Sequence, residues 1–325
     1  MRRYLPAMAV CVSALAAFTA NAASSFPTKP IRLIVPASPG TGSDFFARTM
    51  SQGLSELYEH PVVIDNRPGA GGIVGATTVA SATPDGYTIG LASSTSFLVA
   101  PMLQLKPAYR PLEDFRSVAQ LAAIPSVLIV APNVPAKTVK ELIALAKSKP
   151  GGLNYASVGP GTAAHLSSEI FNRAAGITAE HVPFRTIAAV FSDMTEGRVH
   201  YLWFVSPAAM GLLRGGKLRA IAVDSPKRSP TLPDVPTIRE EGYPAAEMET
   251  LFGIFAPVGT ASATITKLNA DIVKVLRKPE TMKAFALQAA EPTTVDTAPD
   301  AYAKRLKVEY DRFRKLLPEI GLKPQ

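Results

Sequence analysis

Two glycine-rich segments hold the residues best suited to chemistry. The first reads Val35-Pro36-Ala37-Ser38-Pro39-Gly40-Thr41-Gly42-Ser43-Asp44 and the second Tyr155-Ala156-Ser157-Val158-Gly159-Pro160-Gly161-Thr162. Each follows a short β-rich run and precedes a helical pattern. Glycine lets the backbone approach a ligand closely, and a helix N-terminus offers unpaired N–H groups at the positive end of its dipole. Hydroxyls at Ser38, Thr41, Ser43, Ser157 and Thr162 stand beside those amides. Such an arrangement suits capture of a carboxylate. It equally serves an ordinary strand-to-helix connection in which Ser43 or Asp44, and Thr162, act as caps.

Other segments extend the inventory. Asn66-Arg67-Pro68-Gly69-Ala70-Gly71-Gly72 is a third glycine-rich stretch, in which Arg67 either pairs with an anionic ligand or is a structural charge. Ser93, Ser94, Thr95 and Ser96 follow a strand ending near Leu91, placing hydroxyl donors at a carboxyl-end crevice or in a plain polar loop. Gly159-Pro160-Gly161-Thr162-Ala163-Ala164 also fits a dinucleotide fingerprint with Glu180 at ribose spacing, but Pro160 stiffens the turn that should wrap a pyrophosphate. The histidines, His60, His165, His181 and His200, form no metal-ligand spacing, so no metal or other cofactor is expected. No G-x-S-x-G elbow is present. His165, three residues beyond Thr162, is the best placed to act as a base, and its position also fits bracing of the loop.

These loops need strands and helices to hold them. Residues 31–35, 62–64, 87–91, 127–130, 153–156 and 218–223 read as strands alternating with helical patterns, the first of which covers residues 45–58. Thr138 and Glu141 fit a capping box, Val139, Leu142, Ile143 and Ala146 line one face, and Pro150-Gly151-Gly152 ends that helix. The alternation implies an α/β protein with mostly parallel sheets flanked by helices. Apolar runs at residues 126–131 and 251–256 mark two crossings between lobes. Residues 27–125 with 251–325 would form lobe 1, and residues 126–250 lobe 2.

Arg2, Arg3, an apolar stretch over residues 5–20 and Ala20-Asn21-Ala22 read as a signal peptide cleaved after Ala22, giving a periplasmic protein. The single cysteine, Cys11, would leave with it. The formal charge of +8 loses two units with Arg2 and Arg3, and the remaining basic residues are scattered without a block, so nucleic acid is not an expected partner. A mild positive field favours anionic ligands.

Taken in order, several strings resemble the Bug/TctC family of extracytoplasmic solute receptors that serve tripartite tricarboxylate transporters. They are Pro30-Ile31-Arg32-Leu33-Ile34-Val35-Pro36, Asp65-Asn66-Arg67-Pro68-Gly69-Ala70-Gly71-Gly72, Pro84-Asp85-Gly86-Tyr87-Thr88, Leu153-Asn154-Tyr155-Ala156-Ser157, His165-Leu166, His181-Val182-Pro183-Phe184, Gly216-Lys217-Leu218-Arg219-Ala220 and Leu232-Pro233-Asp234-Val235-Pro236-Thr237. The resemblance implies a two-lobed periplasmic-binding-protein fold of type II kind, a small carboxylate in the interlobe cleft, no catalysis, and delivery by a monomer to integral-membrane transporter subunits. It implies ligand contacts from Ser38, Pro39, Gly40, Thr41, Gly42 and Ser43, from Ser93, Ser94 and Thr95, and from Ser157, Gly161 and Thr162; His165 joins these candidates by its position just beyond Thr162. Thr41 stands where the family usually has a second glycine, and Ala37 where it has an aromatic. Arg185-Thr186-Ile187-Ala188-Ala189 replaces a lysine-glycine-x-alanine-proline pattern, so Phe184 and Ile187, with Thr186 between them also a candidate ligand contact, imply a more apolar wall and an aromatic or aliphatic carboxylate. Two alternatives remain open: an exported partner of a sensor kinase and, more distantly, an exported carboxylate-processing enzyme.

Overall fold

Strands from the two ends of the chain meet in one sheet, and strands from its middle form another. A computed structural model describes residues 26–204, 207–286, 290–293 and 297–324; the expected signal peptide and Cys11 lie outside these residues. The elements run β1 (Ile31–Val35), α1 (Gly42–Tyr58), β2 (Val62–Asn66), α2 (Ile73–Ala80), β3 (Thr88–Ser93), α3 (Ser94–Met102) and β4 (Phe115–Ile124). The middle of the chain supplies β5 (Val127–Val130), α4 (Val139–Ser148), β6 (Asn154–Ser157), α5 (Ala163–Ala175), β7 (Glu180–Pro183), α6 (Ile187–Thr195), β8 (Tyr201–Phe204), α7 (Pro207–Arg214) and β9 (Arg219–Val223). β10 (Thr250–Pro257), α8 (Ser262–Leu276), α9 (Pro279–Ala286), β11 (Glu291–Pro292) and α10 (Pro299–Glu319) complete it.

One sheet has the order β11-β4-β10-β3-β1-β2 and the other β7-β6-β8-β5-β9. Both are mixed. β1 pairs parallel with β2 and β3, and β6 parallel with β7 and β8, whereas β10 and β5 are antiparallel to both of their neighbours. The expectation of mostly parallel sheets missed this because β5 and β10 are the strands by which the chain enters each sheet from the other. A strand arriving that way has no crossover helix to impose a parallel direction. The result is a two-lobed α/β fold.

Side-chain alternation explains the packing. Leu33, Val35, Ile89 and Leu91 of the first sheet are fully buried with Phe46, Met50 and Leu54 of α1 beneath them. Each such side chain contributes about 1.5–3 kcal/mol by leaving water. A larger cluster joins α3 (Phe97, Leu98, Val99), the second sheet (Tyr155, Tyr201, Trp203) and α10 (Tyr302, Leu306, Phe313, Leu317). α10 therefore straps the two sheets together. Arg312 Nη2 donates to the Glu247 carbonyl at 2.6 Å, and Arg173 pairs with Glu319 at 3.2 Å.

Local signals shifted in instructive ways. α1 begins at Gly42, three residues earlier than expected, because Thr41 is its N-cap and accepts from the Asp44 amide. Ser43 and Asp44 are thus inside the helix and neither is the cap. At α4, Thr138 accepts from the Glu141 amide as expected, but the Glu141 carboxylate reaches the Lys137 amide at 2.6 Å and not that of Thr138.

Candidate ligand site at four strand-to-helix loops

β1 and β3 are parallel neighbours, so their carboxyl ends release residues 36–41 and the Ser93 junction from the same edge of one sheet. In the first of these, the buried Asp44 organises the loop: its Oδ2 accepts from the Gly40 amide at 2.9 Å and from Arg48 Nε at 2.9 Å, and its Oδ1 accepts from Asn66 Nδ2 at 3.1 Å. Burial opposes ionisation of Asp44, but hydrogen bonds from Arg48, Gly40 and Asn66 outweigh it and hold the carboxyl below its usual range. Thr41 Oγ1 donates to the Ser38 carbonyl at 2.8 Å, closing the turn. Ser38, Pro39, Gly40 and Thr41 are exposed, Gly42 is half-buried and Ser43 is buried.

At the second junction β3 continues through Ser93, and Ser94, Thr95 and Ser96 are the first turn of α3, not a polar loop. Ser93 caps that turn by accepting from the Ser96 amide, and its hydroxyl lies 3.2 Å from Thr95 Oγ1 and 2.9 Å from Ser96 Oγ. Ser94 Oγ accepts from the Leu251 amide at 3.1 Å, tying α3 to β10.

The other sheet repeats the plan, since β6 and β7 are parallel neighbours and the Phe184 amide donates to the Ser157 carbonyl at 2.9 Å. Ser157 is fully buried and turned into its own loop. It accepts from the Gly159 amide at 3.0 Å, lies 3.0 Å from the Gly159 carbonyl, and sits 2.7 Å from His181 Nε2. The Gly161 amide donates to His165 Nδ1 at 3.0 Å, so His165 carries its proton on Nε2 and braces the loop. Burial, with the neighbouring His181 adding to it, pushes the His165 imidazole down to about 4. Thr162 is the N-cap of α5 by position, but its hydroxyl donates to the Gly159 carbonyl at 2.7 Å and caps no amide of the helix.

Thr186 caps α6 by accepting from the Ala189 amide, while Phe184 and Ile187 pack on the core of Val190, Phe191 and Met194. Between the lobes, a Cβ added to Gly161, at φ +75°, would lie 2.9 Å from Leu103 Cδ1 and 3.3 Å from Val99 Cγ1. Gly161 is thus where the second sheet's loop touches the end of α3.

The third glycine-rich stretch is structural. Arg67 Nε pairs with Asp65 at 3.0 Å, its amide donates to the Val35 carbonyl at 2.8 Å, and Gly75 brings α2 against Pro36 where a Cβ would sit 2.7 Å from the Pro36 Cα. Arg185 is the only basic side chain on the described residues 36–43, 93–96, 157–162 and 184–187, and it is exposed. An anion among these loops therefore meets amides, hydroxyls and helix N-termini in place of a buried ion pair, a mode that binds and still releases. A cavity of about 300 Å³ bounded by Phe97, Phe115, Phe255 and Leu306 takes no residue from these loops. Among the described residues no group of three or more His, Cys, Asp or Glu side chains is placed to hold a metal ion.

Sequence reasoning missed His181 and Asp224. His181 reaches Ser157 across 24 residues, and buried Asp224 accepts from the Ser126 amide across 98. Neither link leaves a local spacing to read.

Two lobes, each with a pair of strand-to-helix loops at one sheet edge, define a solute-binding protein of the periplasmic class. Residues 46–322 match the model of TctC, the tripartite tricarboxylate transporter family receptor, and the chain belongs to that family. It is 34% identical over 325 residues to the protein BugT of Bordetella pertussis, covering 99% of both chains. The structure of the periplasmic binding protein BugD is similar with a TM-score of 0.80 at 30% identity, over 92% of this chain and 100% of that one. A protein of R. palustris solved with adipate gives 0.83 at 32% identity, over 92% and 100%. The family is one of transporter receptors and BugD is a periplasmic binding protein, and the chain is a receptor, not an enzyme. No helix among the described residues is long and apolar enough to cross a membrane.

Proposed function

We propose that this receptor is exported to the periplasm on a leader cleaved after Ala22, closes residues 27–125 with 251–325 and residues 126–250 around a small carboxylate, and hands that ligand to integral-membrane transporter subunits. The observation that carries this reading is the duplicated loop pair: β1 and β3 in one sheet and β6 and β7 in the other each deliver helix N-termini from adjacent parallel strands. Two such cradles of amides, one from each sheet, suit an acid held from both sides. Lobe closure is then the signal that a membrane partner reads. The apolar rims at Phe184 and Ile187 favour an aliphatic or aromatic acid over a densely hydroxylated one, and adipate in the R. palustris relative is an aliphatic example.

Thermal unfolding against adipate, succinate, citrate, benzoate and free amino acids tests this. A ligand at 100 times its dissociation constant adds about 2.7 kcal/mol and raises the midpoint by a few degrees. A selective rise with one carboxylate class is expected. A rise with amino acids alone, or with none of the panel, overturns the carboxylate assignment.

A further inference from the structure

The loop between β6 and α5 is held from behind by two stacked histidines. The His165 and His181 rings lie 4.1 Å apart at 24°, and Tyr155 stacks on the His181 ring at 5.0 Å and 18°. Each ring grips a different end of the loop: His181 Nε2 meets Ser157 Oγ at 2.7 Å, and His165 Nδ1 accepts from the Gly161 amide at 3.0 Å. Ser157 passes the constraint on through its bonds to Gly159, whose carbonyl also receives the Thr162 hydroxyl at 2.7 Å. Gly159 and Gly161, at φ +127° and +75°, have no side chain to resist rearrangement, so the loop's shape depends on these bonds. Gly161 in turn touches Val99 and Leu103 of the other lobe.

We infer that His181 and His165 are the positioning residues of this loop, and that protonation of the pair, by removing the acceptor that holds the Gly161 amide, releases both the loop's shape and its contact with the opposite lobe. The inference rests on the proposed ligand site but concerns how that site is shaped, whatever its ligand. Nδ1 of His165 has one lone pair, and it is spent on Gly161 N–H; an imidazolium has none. Two charged rings in stacked contact repel, so the pair titrates as a unit and takes one proton more readily than two. The groups that face the pair are Tyr155, whose hydroxyl donates to the Glu169 carboxylate on α5, Tyr201 behind Tyr155, and Ser157. No cation stands among them, and burial lowers both imidazoles below the ordinary histidine range. The loop is thereby kept in its shaped state at neutral pH and yields only in acid.

The test is nitrogen NMR on the unliganded protein, followed by binding. A scalar coupling across the hydrogen bond between the Gly161 nitrogen and His165 Nδ1 is expected at pH 7, with His165 as the Nε2–H tautomer. On acidification the Gly161 amide shift should stay flat through pH 6.5 and move together with the His165 ring at its lowered midpoint. His181→Phe, which keeps a ring in the stack, should raise that midpoint. Adipate affinity should be level between pH 7.5 and 6.5, and about tenfold weaker in His165→Ala, with part of that loss restored in His165→Gln. Absence of the coupling, or a His165 ring titrating near 6.5 with an indifferent Gly161 amide, overturns the inference. If the coupling and linked titration are present but adipate fails to bind at any pH, the positioning role stands and the choice of ligand falls.

Discussion

Ser126 and Asp224 hold each other by two hydrogen bonds: the Asp224 amide donates to the Ser126 carbonyl at 3.0 Å, and Asp224 Oδ1 accepts from the Ser126 amide. Ser126 lies between β4 and β5, where the chain first leaves one sheet for the other, and Asp224 follows β9, where it begins to return. Asp224 is fully buried, and its Oδ2 lies 3.4 Å from Ser167 Oγ on α5. The two crossings are therefore clasped to each other and to α5, the helix that follows the β6–α5 loop.

Removing this clasp should destabilise the fold. Asp224→Ala leaves the Ser126 amide without its acceptor in a site closed to water, at a cost of about 1–3 kcal/mol measurable by urea unfolding. Asp224→Asn keeps an acceptor for that amide and should stay within about 1 kcal/mol of the parent near pH 4, where the buried carboxyl is protonated.

The same residue gives a signed pH effect. Burial, reinforced by the nearby Glu249, holds the Asp224 carboxyl well above its ordinary range. The folded state therefore keeps a proton that the unfolded state releases near 3.8. The stability this contributes is present below that value and declines as pH rises toward the folded one. The difference in unfolding free energy between Asp224→Asn and the parent should accordingly grow in favour of Asn as pH is raised from 4 to 8. A difference that is constant across this range would show that Asp224 ionises freely.

His165 gives the opposite sign. Its folded value of about 4 lies below the unfolded 6.5, so its contribution is full above 6.5 and is lost as pH falls toward 4. His165→Gln should flatten the acid limb of a stability profile between these limits, read by thermal midpoints.

Gly161 and Leu103 should show coupled substitutions. Gly161→Ala places a Cβ 2.9 Å from Leu103 Cδ1 on a backbone at φ +75°, costing about 1 kcal/mol from the dihedral alone and more from the contact. Adding Leu103→Ala should recover the steric part and leave the backbone part, a non-additivity that a double-mutant cycle measures.

Much of this was legible because it is local. The glycine and hydroxyl spacing of residues 38–43 and 157–162 located two strand-to-helix loops, and Thr138 with Glu141 located a helix start. Roles within the loops were harder to read. Ser157, read as a ligand contact, is fully buried with its hydroxyl bonded to His181 and Gly159, and Asp44, read with Ser43 as one of two candidate caps, has its carboxylate taken by Gly40, Arg48 and Asn66. The strand directions were hidden for the same reason as the Ser126 and Asp224 clasp: both depend on where the chain passes between sheets, which no short window of sequence records.

The most direct measurement is an amide NMR titration of the protein with whichever carboxylate stabilises it most. The amides of Gly42 and Ser43 at the start of α1 and of Ala163 and Ala164 at the start of α5 should shift together and saturate at one ligand concentration, because the proposed site holds one molecule between helix N-termini of both lobes. Shifts confined to one lobe, or centred on the cavity at Phe97, Phe115 and Phe255, would place the ligand elsewhere and refute the interlobe site.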